Sequence, residues 1–215
     1  MKLNMQTGNI QAGNTQAGNR QQARIKVGID VDGTLAFSQR AIINEYNMKT
    51  DSGHAIEELD SYIGWSHPIT EIEFSDLHFT LWKDNWKRIK PAVSEGQLLR
   101  LMEICDAELS TGIPSSCDSG LKGWLNANFP NASMEIRYVM HMREKMYLGY
   151  DVIFDDSTPV ADEFLNLNAA KEGTRLYLID QPWNRKRRYE EENSGIIRVE
   201  SIGKGIDHLL STLRK

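Results

Sequence analysis

Cysteine is scarce in this sequence, which contains only Cys105 and Cys117. Two cysteines at this spacing make neither a disulfide framework nor a zinc-binding motif, so we expect a reducing, cytoplasmic environment. No apolar run approaches the roughly 20 residues that a membrane-spanning helix needs. The N-terminus also lacks the apolar segment of a signal peptide. We therefore expect a soluble cytoplasmic protein with no membrane partner.

Positive charge is also in short supply, with 25 Lys and Arg against 30 Asp and Glu and a net charge of −5. A general nucleic-acid-binding surface is therefore not indicated. Hydrophobic residues make up 40% of the 215 residues, enough for the core of one domain with a modest insertion. Large apolar residues are few in 1–24, where near-repeats of Gln, Ala, Gly and Asn predict a disordered tail.

The most informative stretch is 26–35, with the sequence KVGIDVDGTL. Its short apolar run is typical of a buried strand, which then delivers Asp30 and Asp32. Residues two apart on an extended chain point the same way, so the two carboxylates can share one space. Gly33 permits a sharp turn after them. Two adjacent carboxylates repel each other, and a divalent cation between them would relieve that repulsion.

The aspartate pair could also have a purely structural role or a role in binding calcium. Asp often forms a turn by accepting a hydrogen bond from its own backbone, which needs no metal. A calcium loop requires Gly at its sixth position and Glu at its twelfth. Counted from Asp30, Gly33 is fourth and Ala41 is twelfth, so a calcium loop is excluded.

The run Asp-Val-Asp-Gly-Thr-Leu, from Asp30 to Leu35, resembles the first motif of the haloacid dehalogenase-like (HAD) phosphohydrolase superfamily. The resemblance implies a phosphomonoester hydrolase in which Asp30 attacks phosphorus and forms an aspartyl phosphate. Asp32 would protonate the leaving alcohol and then take a proton from water. Mg²⁺ is the implied cofactor, bound by Asp30, by the backbone carbonyl of Asp32, and by Asp155.

Two later segments match the phosphate-binding motifs of that superfamily. The predicted strand 106–111 ends in two hydroxyl side chains, and in the superfamily such a hydroxyl holds the substrate phosphate. Ser110 is the favoured match and Thr111 the alternative. Lys145 matches the lysine that offsets the charge of the nucleophile and the phosphate, with Arg143 as its competitor.

The segment 151–156 again delivers carboxylates from an apolar strand, here Asp155 and Asp156. This pattern resembles the fourth motif, which completes the magnesium site in the superfamily. It implies Asp155 as a metal ligand, with Asp156 contacting the loop or a metal-bound water. The same pair could instead cap the helix that begins near Pro159.

Residues 37–90 separate the first strand from the next, which is long for a connection. Their apolar residues have helical spacing, and Thr70 with Glu73 matches a capping box. We therefore predict a small helical cap. Trp82 and Trp86 are four apart and so lie on one face of the predicted helix, where a nucleotide base could stack. Aromatic residues at this spacing more often belong to the core.

The run Asp-Gln-Pro-Trp-Asn-Arg at 180–185, together with the small cap, resembles the 5′(3′)-deoxyribonucleotidase-like branch of the superfamily. A small-molecule phosphomonoester, most specifically a deoxyribonucleoside monophosphate, is the implied substrate. Ser157 departs from the pattern, because that branch often has Arg there. The alternatives are another phosphoester, such as a nucleic-acid 3′-phosphate end or a small metabolite, and a non-catalytic HAD-like binding protein. The sequence leaves open the base, the sugar, the phosphate position and whether the chain forms a homodimer.

Strands that alternate with helices predict an α/β fold with an open, doubly wound, mainly parallel sheet. In this Rossmann-like, HAD-like arrangement, 25–36 and 91–215 form the core, and 37–90 form the cap. Ligands bind such sheets at the carboxyl ends of the strands. The acidic and hydroxyl clusters of this sequence all fall at those ends.

Overall fold

The computed structural model describes residues 24–59, 69–189 and 194–213. The predicted tail, 1–24, lies outside the described residues except for Arg24. Residues 60–68 of the predicted cap lie outside them as well.

The centre of the fold is a sheet of six parallel strands, which confirms the predicted α/β architecture. The strands are β1 (Lys26–Ile29), β2 (Asp106–Thr111), β3 (Ile136–Tyr138), β4 (Val152–Asp155), β5 (Arg175–Ile179) and β6 (Ile196–Val199). Their order is β3-β2-β1-β4-β5-β6. From β1 the strand order runs to β3 on one side of the sheet and from β4 to β6 on the other, so the topological switch point lies between β1 and β4. A crevice at such a switch point is the usual ligand site of this architecture.

Six α-helices are described, and the start of the second follows a local sequence signal. They are α1 (Ser38–Thr50), α2 (Glu71–Asp84), α3 (Glu95–Ile104), α4 (Asp118–Asn128), α5 (Thr158–Asn166) and α6 (Ile202–Leu213). The predicted capping box is confirmed, because the Thr70 side chain accepts from the Glu73 N–H and the Glu73 carboxylate accepts from the Thr70 N–H. None of the described helices combines the length and apolar character needed to cross a membrane.

Helices cover both faces of the sheet, as the doubly wound prediction requires. Alternate residues of β4 and β5 enter different hydrophobic clusters. Phe154 and Tyr177 pack in the cluster that includes α3, α4 and α6. Ile153 and Leu176 pack in the cluster that includes α5. Since side chains alternate, Asp155 lies on the α5 face at the end of β4.

The helical segment after β1 packs directly against the sheet domain. Trp82 is fully buried, and its ring meets the edge of Trp124 in α4 at a centroid distance of 5.7 Å. Side chains of α1, α2 and the sheet belong to one continuous cluster of buried apolar residues. Burial of this apolar surface holds α2 over the carboxyl ends of the strands.

The prediction that Trp82 and Trp86 share one helix face is wrong, because α2 ends at Asp84. Trp86 begins a separate 3₁₀ turn and packs on α4. A Cβ added at Gly120 would overlap the Trp82 carbonyl, and one added at Gly123 would lie 2.9 Å from the Trp86 ring. The two glycines therefore allow the close approach of Trp82 and Trp86 to α4.

Candidate active site

A tight turn directly after β1 carries the two aspartates of the first motif. The Val31 carbonyl accepts the N–H groups of Leu35 and Ala36 at 3.0 and 2.8 Å. Gly33 has a φ of +78°, a conformation that other L-residues adopt only with strain. A Cβ at Gly33 would also overlap the carboxylate of Asp156. The turn therefore needs glycine both for its backbone conformation and for the approach of Asp156.

Strand register brings residues from three strands to the same level. The residue just before Asp30 is the register partner of the residues just before Ser110 in β2 and Asp155 in β4. The Asp30 N–H still donates to the β4 carbonyl of Phe154 at 2.9 Å. Residues level in adjacent parallel strands point to the same face. The register therefore places Asp30, Ser110 and Asp155 side by side.

Lys145 is the buried cation of this site. Its ammonium donates to Asp30 Oδ1 at 2.5 Å and to Asp155 Oδ2 at 2.7 Å, and its side chain has no exposed surface. Burial lowers the pKa of Lys145, but the charges of Asp155 and Asp30 outweigh burial and raise the pKa above its ordinary value. Lys145 therefore stays protonated. Arg143, the competing candidate, is largely exposed and lies 4.0 Å from Glu163.

Three buried carboxylates meet beside Lys145. One oxygen each of Asp30, Asp155 and Asp156 lies within 4.8 Å of the others. Burial, together with the charges of Asp155 and Asp32, raises the pKa of Asp30 to about 7 although Lys145 opposes this shift. Burial and the charges of Asp30 and Asp155 raise the pKa of Asp156 well above its usual range. One ammonium therefore does not fully compensate the three acids.

The donor set fits a hard divalent cation. Carboxylate oxygens are the ligands that Mg²⁺ prefers, and a cation among Asp30, Asp155 and Asp156 would favour their ionised forms. The carboxylate of Asp32 is not one of the three. The predicted contribution of its backbone carbonyl to the metal site stays a prediction.

The carboxylate of Asp32 contacts two side chains of α2, whereas that of Asp30 contacts Lys145. Its Oδ1 accepts from Trp82 Nε1 at 2.9 Å, and its Oδ2 lies 3.0 Å from His78 Nε2. Burial alone would raise the pKa of Asp32, but the charge and hydrogen bond of His78 outweigh burial and lower it. Burial alone would lower the pKa of His78, but the charge and hydrogen bond of Asp32 outweigh burial and raise it. The two groups form a partly buried ion pair.

Sequence reasoning missed His78 as a site residue. It lies four residues before Trp82, so the two side chains share one face of α2. Trp82 is a sequence-predicted platform for a base, but its ring is fully buried. In this arrangement the ring offers no exposed surface on which a base could stack. Trp86 is half-buried against Gly123.

The two hydroxyls at the end of β2 have different surroundings. Ser110 Oγ is buried and makes no hydrogen bond of normal geometry, although the Tyr150 hydroxyl lies nearby. Thr111 Oγ1 accepts the N–H of Ile113 at 3.1 Å and so shapes the following loop. A buried hydroxyl without a partner costs free energy. Ser110 is therefore able to donate to a ligand at the level of Asp30.

Residues 180–185 donate hydrogen bonds to the two loops that carry the aspartates. Trp183 Nε1 donates to Asp156 Oδ2 at 3.0 Å, and Asn184 Nδ2 donates to the Asp156 carbonyl at 2.9 Å. Gln181 Nε2 donates to the Gly33 carbonyl at 2.6 Å. The sequence of this run carries a family resemblance but gives no signal for these contacts. These hydrogen bonds connect the loop after β5 to the loops after β1 and β4.

No protein-family model and no curated protein matches the chain, but solved structures do. A conserved haloacid dehalogenase-like protein of unknown function from Agrobacterium tumefaciens matches at 14% identity and TM-score 0.57, over 90% of this chain and 100% of that one. A haloacid dehalogenase-like hydrolase from Streptococcus pneumoniae matches at 13% identity and TM-score 0.54, over 88% and 98%. Protein tyrosine kinase A of Mycobacterium tuberculosis matches at 12% identity and TM-score 0.54, over 87% and 99%. The chain therefore has the HAD-like fold, and a fold by itself does not determine the chemistry of its site.

Proposed function

We propose that this protein is a Mg²⁺-dependent phosphomonoester hydrolase that works through an aspartyl phosphate on Asp30. The observation that carries the proposal is the meeting of Asp30 with Lys145, Asp155 and Asp156 in a buried cluster at the carboxyl ends of β1 and β4. Burying several charged groups together is costly. Such clusters are typical of sites that bind or transform a charged ligand.

Asp30 is proposed as the nucleophile of a two-step phosphoryl transfer. A carboxylate oxygen of Asp30 forms a bond to phosphorus while the bond from phosphorus to the leaving alcohol breaks. The Asp32 carboxylate, ionised beside His78, takes up a proton from solvent and passes it to that leaving oxygen. In the second step Asp32 takes a proton from water, the water oxygen bonds to phosphorus, and the bond to Asp30 breaks. Inorganic phosphate is released, Asp32 gives the proton back to solvent, and both aspartates return to their starting forms.

The remaining groups stabilise the phosphoryl oxygens. Lys145 supplies a fixed positive charge beside Asp30, and Ser110 supplies a hydroxyl donor at the same level. Thr111 remains the alternative phosphate ligand. A Mg²⁺ ion bound by Asp30 and Asp155, with Asp156 and the Asp32 carbonyl, would neutralise charge that develops on the transferred group.

A nucleoside monophosphate, and a deoxyribonucleotide in particular, is the proposed substrate. The support is the likeness of 180–185 to the deoxyribonucleotidase-like branch and the helical segment over the strand ends. The free, buried thiols of Cys105 and Cys117 agree with the proposed cytoplasmic location. The helix α2 is proposed to lie beside the bound leaving group, because its residues His78 and Trp82 contact Asp32.

The test is phosphate release from a panel of esters, with Mg²⁺ and with excess chelator. The panel contains deoxyribonucleoside and ribonucleoside 5′- and 3′-monophosphates, sugar phosphates, phosphopeptides and an oligonucleotide with a 3′-phosphate. We expect turnover that needs Mg²⁺ and is fastest on a deoxyribonucleotide. Preference for another ester would overturn the substrate class and leave the chemistry standing.

Asp30→Asn is the decisive variant, because an amide cannot form the aspartyl phosphate. We expect no turnover from it and no change in circular dichroism. The matched control is Asp106→Asn, since Asp106 is an exposed carboxylate at the opposite end of the sheet. Full activity in Asp30→Asn would rule out the covalent scheme.

A further inference from the structure

Both carboxylate oxygens of Asp32 contact side chains of the helix α2. Asp32 Oδ1 receives the indole N–H of Trp82, and Oδ2 lies 3.0 Å from the imidazole of His78. His78 is four residues before Trp82 on α2, so one turn of helix presents both groups. The side chains of His78 and Asp32 are only 19% and 12% exposed. Water therefore competes weakly for these contacts.

The two donors are themselves fixed by aromatic packing. The His78 ring stacks on Phe74, one turn earlier in α2, at a centroid distance of 6.1 Å and an interplanar angle of 9°. Trp82 is fully buried and packs against the edge of Trp124. Neither donor can rotate away from Asp32 without losing this packing. The carboxylate is consequently held in one orientation.

Orientation matters for a group that must pass a proton to a departing oxygen. A displacement of about 1 Å in a reacting group can cost about 100-fold in rate. Asp32 lies beyond the end of β1, so the sheet ladder does not fix its side chain. His78 and Trp82 of α2 each contact one of its carboxylate oxygens, and the Ser38 hydroxyl at the start of α1 is a further partner of Asp32.

We infer, on the basis of the proposed function, that His78 is a positioning residue that acts through Asp32. Together with Trp82, His78 holds the Asp32 carboxyl where it can protonate the leaving alcohol, so this step requires α2 to be docked on the nucleophile turn. The alternative role is that of an ion pair that only fastens α2 to the core. The two roles differ in which substrates they affect.

Leaving-group chemistry separates them. A general acid is needed when the leaving group is a basic alkoxide and is nearly dispensable when it is an acidic phenol. The experiment compares kcat/KM for a nucleoside 5′-monophosphate, an alkyl ester, with kcat/KM for p-nitrophenyl phosphate. This ratio of constants reports the step in which the leaving group departs.

We expect His78→Phe to lower kcat/KM for the alkyl ester about 100-fold, within the usual range for general-acid catalysis, and to lower it less than about fivefold for the aryl ester. His78→Gln, whose amide can still donate to Asp32 Oδ2, should recover most of the loss. Trp82→Phe keeps a ring but loses the N–H to Oδ1, and we expect the same selectivity with a smaller loss.

The matched control is His54→Gln, which alters another histidine–carboxylate pair of the helical segment, at 3.2 Å from Glu58 and away from Asp32. It should leave both esters unchanged. Equal losses for both esters in His78→Phe, or no loss, would overturn the positioning role while the proposed function stands. A wild-type protein that hydrolyses neither ester would overturn both. If His78→Phe fails to fold, the Trp82→Phe and His78→Gln pair decides in the same way.

Discussion

Asp30 and Asp32 are two residues apart on one turn, yet they belong to different halves of the site. Asp30 is held by Lys145 and lies among strand-end carboxylates, and its pKa is raised. Asp32 is held by His78 and Trp82 of α2, and its pKa is lowered. The two aspartates therefore have different electrostatic environments, because their partners differ. In the proposed mechanism the sheet half holds the metal and the nucleophile, and the helical half orients the group that transfers a proton.

The largest effect should come from Lys145→Met, which removes the ammonium that donates to Asp30 and Asp155. It leaves Asp30 and Asp155 buried without their partner, and loss of one member of a buried ion pair costs about 3–5 kcal/mol. We expect a matching fall in the free energy of unfolding in urea, and no turnover. Asp30→Asn added to Lys145→Met should restore part of the stability. Additive losses in the double variant would show that the two side chains are not coupled.

Gly33→Ala should have the next largest effect, because it forces a Cβ into a left-handed residue and against Asp156. The backbone conformation alone costs about 1–2 kcal/mol, and the displaced carboxylate should weaken Mg²⁺ binding. The measurements are urea unfolding and the Mg²⁺ dependence of activity. Gly53→Ala is the control, since no heavy atom lies within 4 Å of a Cβ there. Equal behaviour of the two variants would contradict a specific fit at Gly33.

Trp183→Phe tests the hydrogen bond from the loop after β5 to the proposed metal site. The change removes the N–H that donates to Asp156 Oδ2 at 3.0 Å and keeps most of the ring packing. Loss of an outer hydrogen bond to a metal site typically costs about 10–100-fold in metal affinity. We expect an apparent Mg²⁺ affinity about tenfold weaker, measured by titrating activity with Mg²⁺. The preference between alkyl and aryl esters should not change, because Asp32 is untouched.

The smallest effect should come from Thr70→Ala at the start of α2. Loss of this helix cap costs about 1 kcal/mol, and urea unfolding should show it. Because the cap lies two turns before His78, we expect a drop of no more than a few-fold in kcat/KM for the alkyl ester. Mg²⁺ affinity should stay unchanged. A weaker Mg²⁺ affinity in Thr70→Ala would blur the distinction between the two halves.

The sheet half could be predicted well from local patterns. Apolar runs that end in Asp30 and Asp155 predict buried strands with carboxylates at their ends, and the parallel architecture then brings those ends together. The structure places Lys145 against both aspartates, where the resemblance implied a cation. These inferences hold because neighbouring residues and the period of a strand decide them.

The helical half could not be predicted in the same way. The spacing of Trp82 and Trp86 predicts a continuous helix, but α2 ends at Asp84, where the chain packs closely on Gly120 and Gly123. His78 gave no signal of its own, since a histidine on a helix is recognisable as a partner of Asp32 only when both are seen in space.

Two kinds of information are thus combined in this protein. Short motifs in the sequence predict the α/β sheet and the carboxylates at its strand ends, because the period of a strand is a local property. Tertiary packing alone decides which groups touch each carboxylate: Lys145 for Asp30, and His78 with Trp82 for Asp32. Those contacts join residues 46 to 115 positions apart, and only burial of the shared core brings them within hydrogen-bonding distance.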